Sequence, residues 1–186
     1  MPYTLSSYLE SNVLSYKKKL EFAYQLISVL CEFKKQNILH RDIKPQNILT
    51  DGNKIVLADY GLVKPVASED INFDIDDFWN ESNTMPRHYR TPELVLHAKG
   101  ELKVVPIESD CFQVGLVICW LITGINPLKS AENKLSPMEF IEIPTILEPF
   151  GEEVKELIQS MIKYNYKERA DLNDILIKLN NIIKQL

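Results

Sequence analysis

The chain has 186 residues, 45% of them apolar and 25% charged, which fits one globular domain and excludes a disordered or fibrous polypeptide. With 21 Lys and Arg against 26 Asp and Glu the net charge is −5, which argues against nucleic acid or an anionic membrane surface as the main partner. The three cysteines, Cys31, Cys111 and Cys119, are odd in number, lack CxxC spacing and lie in apolar stretches, so core thiols are expected rather than disulfides or a zinc site.

Met1-Pro2-Tyr3-Thr4 lacks the basic-then-apolar order of a secretory leader, and an intracellular protein, cytoplasmic or nuclear, is expected. Thr4 or Ser6 can cap a short helix running to Asn12. From Lys17 to Lys35, Leu20, Phe22, Ala23, Leu26, Ile27, Leu30, Cys31 and Phe33 form a stripe at helical spacing. After Asn37 the pattern changes. Ile48-Leu49-Thr50 and Lys54-Ile55-Val56-Leu57-Ala58 are short β-prone runs about the turn Asp51-Gly52-Asn53, which predicts one small hairpin. From Gly61 to Pro92 the chain is polar, acidic and aperiodic, and such a loop inside a compact domain is usually functional.

Helical signals return at Thr91-Pro92-Glu93, with Pro placed for a first turn. Ser109 or Asp110 is expected to cap an apolar helix ending at Gly124. That helix holds Gln113 and is shorter than the roughly 18 apolar residues of a membrane span. Ser136-Pro137-Met138-Glu139 predicts a short helix, and Glu152–Tyr164 and Asp171–Leu186 read as amphipathic helices. The expected fold is mainly α with a small β-hairpin (α+β), its informative residues in loops.

Those loops carry His40-Arg41-Asp42-Ile43-Lys44-Pro45-Gln46-Asn47 and, directly after the second strand, Asp59-Tyr60-Gly61. Phosphoryl transfer needs a carboxylate near the attacking hydroxyl, and oxygen ligands for Mg²⁺, which prefers few carboxylates plus phosphate oxygens. Asp42 can supply the first. Asn47 and Asp59 flank one hairpin and can supply the second, while Lys44 can reach charge developing on the transferred group. Asp-x-Lys or Asp-Tyr-Gly alone would mean nothing; the joint order is specific.

This set, with Thr91-Pro92-Glu93 downstream, resembles the C-terminal lobe of the eukaryotic-type protein kinase family, Ser/Thr type. The resemblance implies a protein kinase-like fold over residues 1–186, with the start of a hinge at 1–4, where Met1–Tyr3 looks like the hinge strand, a catalytic loop at 38–47 and an activation segment at 59–93. It implies ATP and Mg²⁺ as cofactors and a protein substrate. Asp42, Lys44 and Asn47 would be catalytic, and Asn47 and Asp59 would hold the metal. Leu49, Met1, Tyr3 and Ala58 would bind the nucleotide, with Leu49 as a floor under the adenine. His40 and Tyr60 would stack in a column between lobes, Arg41 and Gly61 belong to the regulatory parts, and Asp110 would brace the catalytic loop. Glu93 would pair with Arg169, and Arg87–Leu94 looks like the substrate-positioning segment.

The sequence departs from the family pattern in several places. It contains no GxGxxG and no strand Lys of the Val-Ala-Ile-Lys type, so an N-lobe from the same full-length protein or another chain is an expected partner. A non-catalytic pseudokinase-type interaction module is the alternative function. Pro86 stands where the family usually has a Thr that bonds near the catalytic Asp, and Thr84 is two residues away. Glu69, Asp70, Asp74, Asp76, Asp77 and Glu81 make the activation segment acidic: either a solvated run or a source of a carboxylate for Arg41 in place of a phosphate. Ser82 and Thr84 are candidate phosphosites. Apolar surface is expected at Leu49, Leu57 and Met1.

Overall fold

The computed structural model describes residues 1–60, 64–65, 88–129 and 135–186. Strand β1 (Tyr3–Thr4) leads into helix α1 (Leu5–Ser11). Thr4 is the cap: its Oγ1 accepts from the Ser7 N–H, and Ser7 Oγ accepts from the Thr4 N–H, both at 3.1 Å. Helix α2 (Tyr16–Lys35) is capped by Ser15 and buries the predicted stripe from Leu20 to Cys31.

Strand β2 (Ile38–Leu39) follows, too short to show in the sequence, and pairs antiparallel with β5 (Lys64–Pro65). A 3₁₀ turn (Pro45–Asn47) separates β2 from β3 (Ile48–Thr50) and β4 (Ile55–Leu57). Asp51 Oδ1 closes the intervening turn by accepting from the Asn53 and Lys54 N–H groups, each at 2.8 Å. The hairpin is part of a three-stranded sheet in the order β1-β3-β4. Tyr3 lies opposite Thr50, and Thr4 opposite Leu49, because a third strand satisfies the outer edge of β3.

Helix α3 (Pro92–Ala98) starts as the Thr91-Pro92 pair predicts, with Thr91 Oγ1 accepting from the Leu94 N–H at 3.1 Å. Helix α4 (Glu108–Thr123) corrects one expectation: neither Ser109 nor Asp110 is its cap. Both lie inside the first turn, preceded by Ile107, and their side chains bond other segments. Gly124 ends α4 at φ 77, a left-handed position that suits glycine.

The helix expected at Ser136–Glu139 is absent. Lys129 N–H donates to Glu139 O at 2.9 Å and Ile141 N–H to Pro127 O at 2.8 Å, so tertiary pairing holds this stretch extended. Helix α5 (Gly151–Met161) stops before the expected Tyr164, because the Lys163 and Tyr164 carbonyls accept from the Arg169 guanidinium. A 3₁₀ turn (Tyr166–Glu168) precedes α6 (Leu172–Gln185), which Asp171 caps.

Helix α4 is buried nearly all round and forms the axis of the core. α2 packs on α4 and α6, and α5 packs on α4. Gly115 permits the last approach: a Cβ there would meet Ile162 Cγ2 at 2.7 Å and Met161 Cβ at 2.9 Å. A smaller apolar cluster of Leu39, Leu94, Val95, Ala98 and Val105 seats α3. All three cysteines are buried and free, and burial pushes the Cys111 thiol up to about 12 and that of Cys119 up to about 11. No helix among the described residues is long and apolar enough to cross a membrane.

Candidate active site

The loop between β2 and β3 is shaped by groups that reach it from α4. Asp110 Oδ2 accepts from the His40 N–H at 2.7 Å, and its Oδ1 from the Arg41 N–H at 2.9 Å. Arg41 holds φ 69, a left-handed value uncommon for a branched-free but bulky residue, and these bonds stabilise it there. Burial pushes the Asp110 carboxyl up to about 6, against the two N–H bonds and the Arg41 charge, which favour the carboxylate.

Asp42 is thereby held in a buried position. Its Oδ2 accepts from Lys44 Nζ at 2.8 Å and from Asn47 Nδ2 at 2.7 Å, and Asn47 Nδ2 also donates to the Asp42 carbonyl at 2.9 Å. Asp42 Oδ1 is buried and has no hydrogen-bond partner among the described residues. Burial raises the carboxyl above the usual aspartate range, while Lys44 and Asn47 pull it down. An oriented carboxylate with one oxygen engaged and the other without a partner has a lone pair left for a proton.

The second half of the site is bonded to the first through backbone. Ala58 N–H donates to the Asn47 carbonyl at 2.8 Å, which sets Asp59 beside the Asn47 turn. Asp59 is exposed and takes φ 64, again left-handed. His40 is fully buried and connects the halves: its Nδ1 accepts from the Asp42 N–H at 3.4 Å, so its proton sits on Nε2, 3.1 Å from the Ala58 carbonyl. Burial lowers the His40 pKa, consistent with a neutral ring. The His40 ring lies 5.6 Å from that of Tyr60 and 6.3 Å from that of Phe33. The Tyr60 hydroxyl donates to the Leu57 carbonyl at 2.9 Å.

Leu49 is half-buried on the sheet face opposite the core, across from Val56, with Met1 and Tyr3 exposed at the β1 edge. Leu57 was expected on this surface and is instead 3% exposed. The two-residue period turns Leu57 inward and presents Val56, 45% exposed, in its place. Glu93 and Arg169 lie apart from this group, as a buried bidentate pair at 2.7 and 3.1 Å. Arg169 also donates to the Glu108 carbonyl, so it joins the starts of α3 and α4 to the end of α5.

Gly61, the acids from Glu69 to Glu81, Ser82, Thr84, Pro86 and Arg87 lie outside the described residues. Sequence reading missed Gln113. Its Oε1 accepts from the Ile43 N–H at 2.9 Å, and its Nε2 donates to the Arg41 and Tyr89 carbonyls at 3.0 and 2.8 Å. The available signal was a lone amide in an apolar helix. Ser109, bonded hydroxyl to hydroxyl with Thr91 at 2.7 Å, was likewise read only as a cap.

The donors fit MgATP. Asp59 and Asn47 carry hard oxygens of the kind Mg²⁺ takes, and Asp42 Oδ1 has no hydrogen-bond partner among the described residues. No group of three or more His, Cys, Asp or Glu that could hold a metal occurs among the described residues.

A family profile described as protein kinase domain matches residues 2–178. Mitogen-activated protein kinase 4 of Homo sapiens is 27% identical over 185 residues, covering 97% of this chain and 30% of that protein. Its Rattus norvegicus counterpart is 27% identical over 184 residues, covering 97% and 64%. Mitogen-activated protein kinase mpkB of Aspergillus fumigatus is 27% identical over 169 residues, covering 89% and 46%. The chain thus spans from under a third to under two thirds of the length of these relatives.

Proposed function

Because the chain belongs to the protein kinase family, we propose that it supplies the catalytic-loop half of a Ser/Thr kinase that transfers the γ-phosphate of ATP to protein hydroxyls. The observation that carries this reading is Asp42, with one oxygen fixed by Lys44 and Asn47 and the other buried without a hydrogen-bond partner among the described residues.

When bound, MgATP supplies the transferable phosphoryl group and the cation that offsets its charge. Asn47 and Asp59 would hold the metal. Asp42 orients the substrate hydroxyl and accepts its proton at Oδ1, with its raised carboxyl pKa favouring acceptance. Lys44 sits 2.8 Å from Asp42 Oδ2 and adds positive charge beside the point of transfer. Leu49, Ala58, Met1 and Tyr3 would form the lower wall of the nucleotide site. His40 and Tyr60 would bear on a covering N-lobe that contributes the Gly-rich segment and strand Lys this sequence lacks.

Calorimetric titration of the chain with MgATP, beside an Asp59→Ala control, tests the reading. Binding that the control abolishes is expected. Equal binding by both would move the assignment to a non-catalytic interaction module, and none by either would leave these residues as remnants or as half of an incomplete site.

A further inference from the structure

Gln113 does something that the proposed catalytic roles do not include. Asp42 stands between Arg41 and Ile43, and the Gln113 carboxamide holds the backbone on either side of it: it donates to the Arg41 carbonyl and accepts from the Ile43 N–H. The same Nε2 donates its other proton to the Tyr89 carbonyl, in the stretch that precedes α3. Gln113 is fully buried, and all of its polar capacity that these contacts use is directed at two loops distant in sequence.

The second loop is itself fixed at successive residues. Asn126, just beyond the end of α4, donates to the His88 carbonyl at 2.7 Å. Arg90 Nη2 donates to the Pro137 carbonyl at 2.9 Å, and Thr91 meets Ser109. Gln113 holds this second loop and also bonds the backbone on both sides of Asp42.

We infer that Gln113 is a positioning residue that sets the spacing between the catalytic carboxylate and the substrate-positioning segment around Tyr89. This rests on the kinase reading above for the meaning of the two loops; the coupling itself rests on geometry alone. A shift of either loop away from α4 breaks a buried amide bond and leaves the Ile43 N–H or the Tyr89 carbonyl unpaired. The two loops therefore take their positions from one buried side chain.

The test replaces Gln113 by Met, close in volume but without the amide, and follows single-amide hydrogen exchange and chemical shifts by NMR. Ser109→Ala, on the same helix but bonded only toward Thr91, is the control. In the Met variant, exchange at Ile43 is expected to rise about tenfold and the Arg90 amide, which shares a peptide with the Tyr89 carbonyl, to shift. Ser109→Ala should leave Ile43 unchanged. Equal acceleration across α2, α4 and α6, or an Ile43 response in the control, would reduce Gln113 to a packing residue and overturn the proposal. So would a response of only one of the two loops.

In a preparation that phosphorylates a peptide, Gln113→Met should raise KM for the peptide as well as lower kcat. An unchanged KM with kcat scaled to the folded fraction would also overturn the coupling. If the parent protein transfers no phosphate, that result counts against the kinase reading, and the exchange data still decide the coupling.

Discussion

The helical core and the loop from Ile38 to Asn47 are neighbours held by different forces. Between α2, α4, α5 and α6 the contacts are those of Leu20, Leu26, Ile27, Leu116, Ile158 and Leu179, all nearly or fully buried. Apolar burial is non-directional, so such a core tolerates small shifts and distributes the loss of any one side chain. The loop has Ile43 buried beneath it but takes its shape from Asp110, Gln113, Asn47 and Lys44, through bonds with fixed partners and directions. What makes the site accurate also makes it brittle, since each missing partner leaves a buried polar group unsatisfied.

The sharpest way to probe that contrast is Arg169→Met. Glu93 would remain buried without its cation, and a stability loss of about 3–5 kcal/mol is expected in denaturant unfolding. Adding Glu93→Gln should restore part of it. A loss below about 1 kcal/mol would mean that polar junctions are no more brittle than apolar ones.

Leu26→Ala probes the other side. The cavity should lower stability by about 3 kcal/mol. The His40, Arg41 and Ile43 amides should keep their exchange rates relative to the global opening, because their braces come from α4. Selective loosening of those amides would erase the distinction between the regions.

A smaller effect follows from Asp110. Its folded-state carboxyl is pushed up to about 6, above the ordinary aspartate value near 4 that it has when unfolded. Its contribution to stability is therefore full below about pH 4 and is lost as the pH rises through about 6, by roughly 2–3 kcal/mol. Stability measured against pH for the parent protein and for Asp110→Asn should differ in slope across this window and run parallel above it. Parallel curves throughout would place the titration elsewhere.

Much of the helical architecture was legible because its signals are local and repeated. The stripe from Leu20 to Cys31, the Thr91-Pro92 start and the Gly124 stop each depend on residues within a few positions. The motif residues from His40 to Asn47 and Asp59 were legible as a joint pattern, and the structure brings them to one place. The misreadings have long-range causes. The stretch from Glu139 to Ile141 pairs with Pro127 and Lys129, and α5 ends just before the carbonyls that Arg169 claims. Gln113 was visible only as an oddity of composition, because its partners lie 24 to 72 residues away.

The bond from His40 to Asp110 spans 70 residues. During synthesis at about 5–20 residues per second, the loop from Ile38 to Asn47 emerges roughly 4–14 seconds before the helix that braces it. Until then Arg41 has no reason to hold a left-handed backbone, and the loop has no template. Assembly of the site is thus a late, non-local event that must follow the docking of α4, with a loop-closure entropy to match. Nascent chains halted before residue 110 would carry every motif residue of the catalytic loop and still lack the groups that hold it in shape.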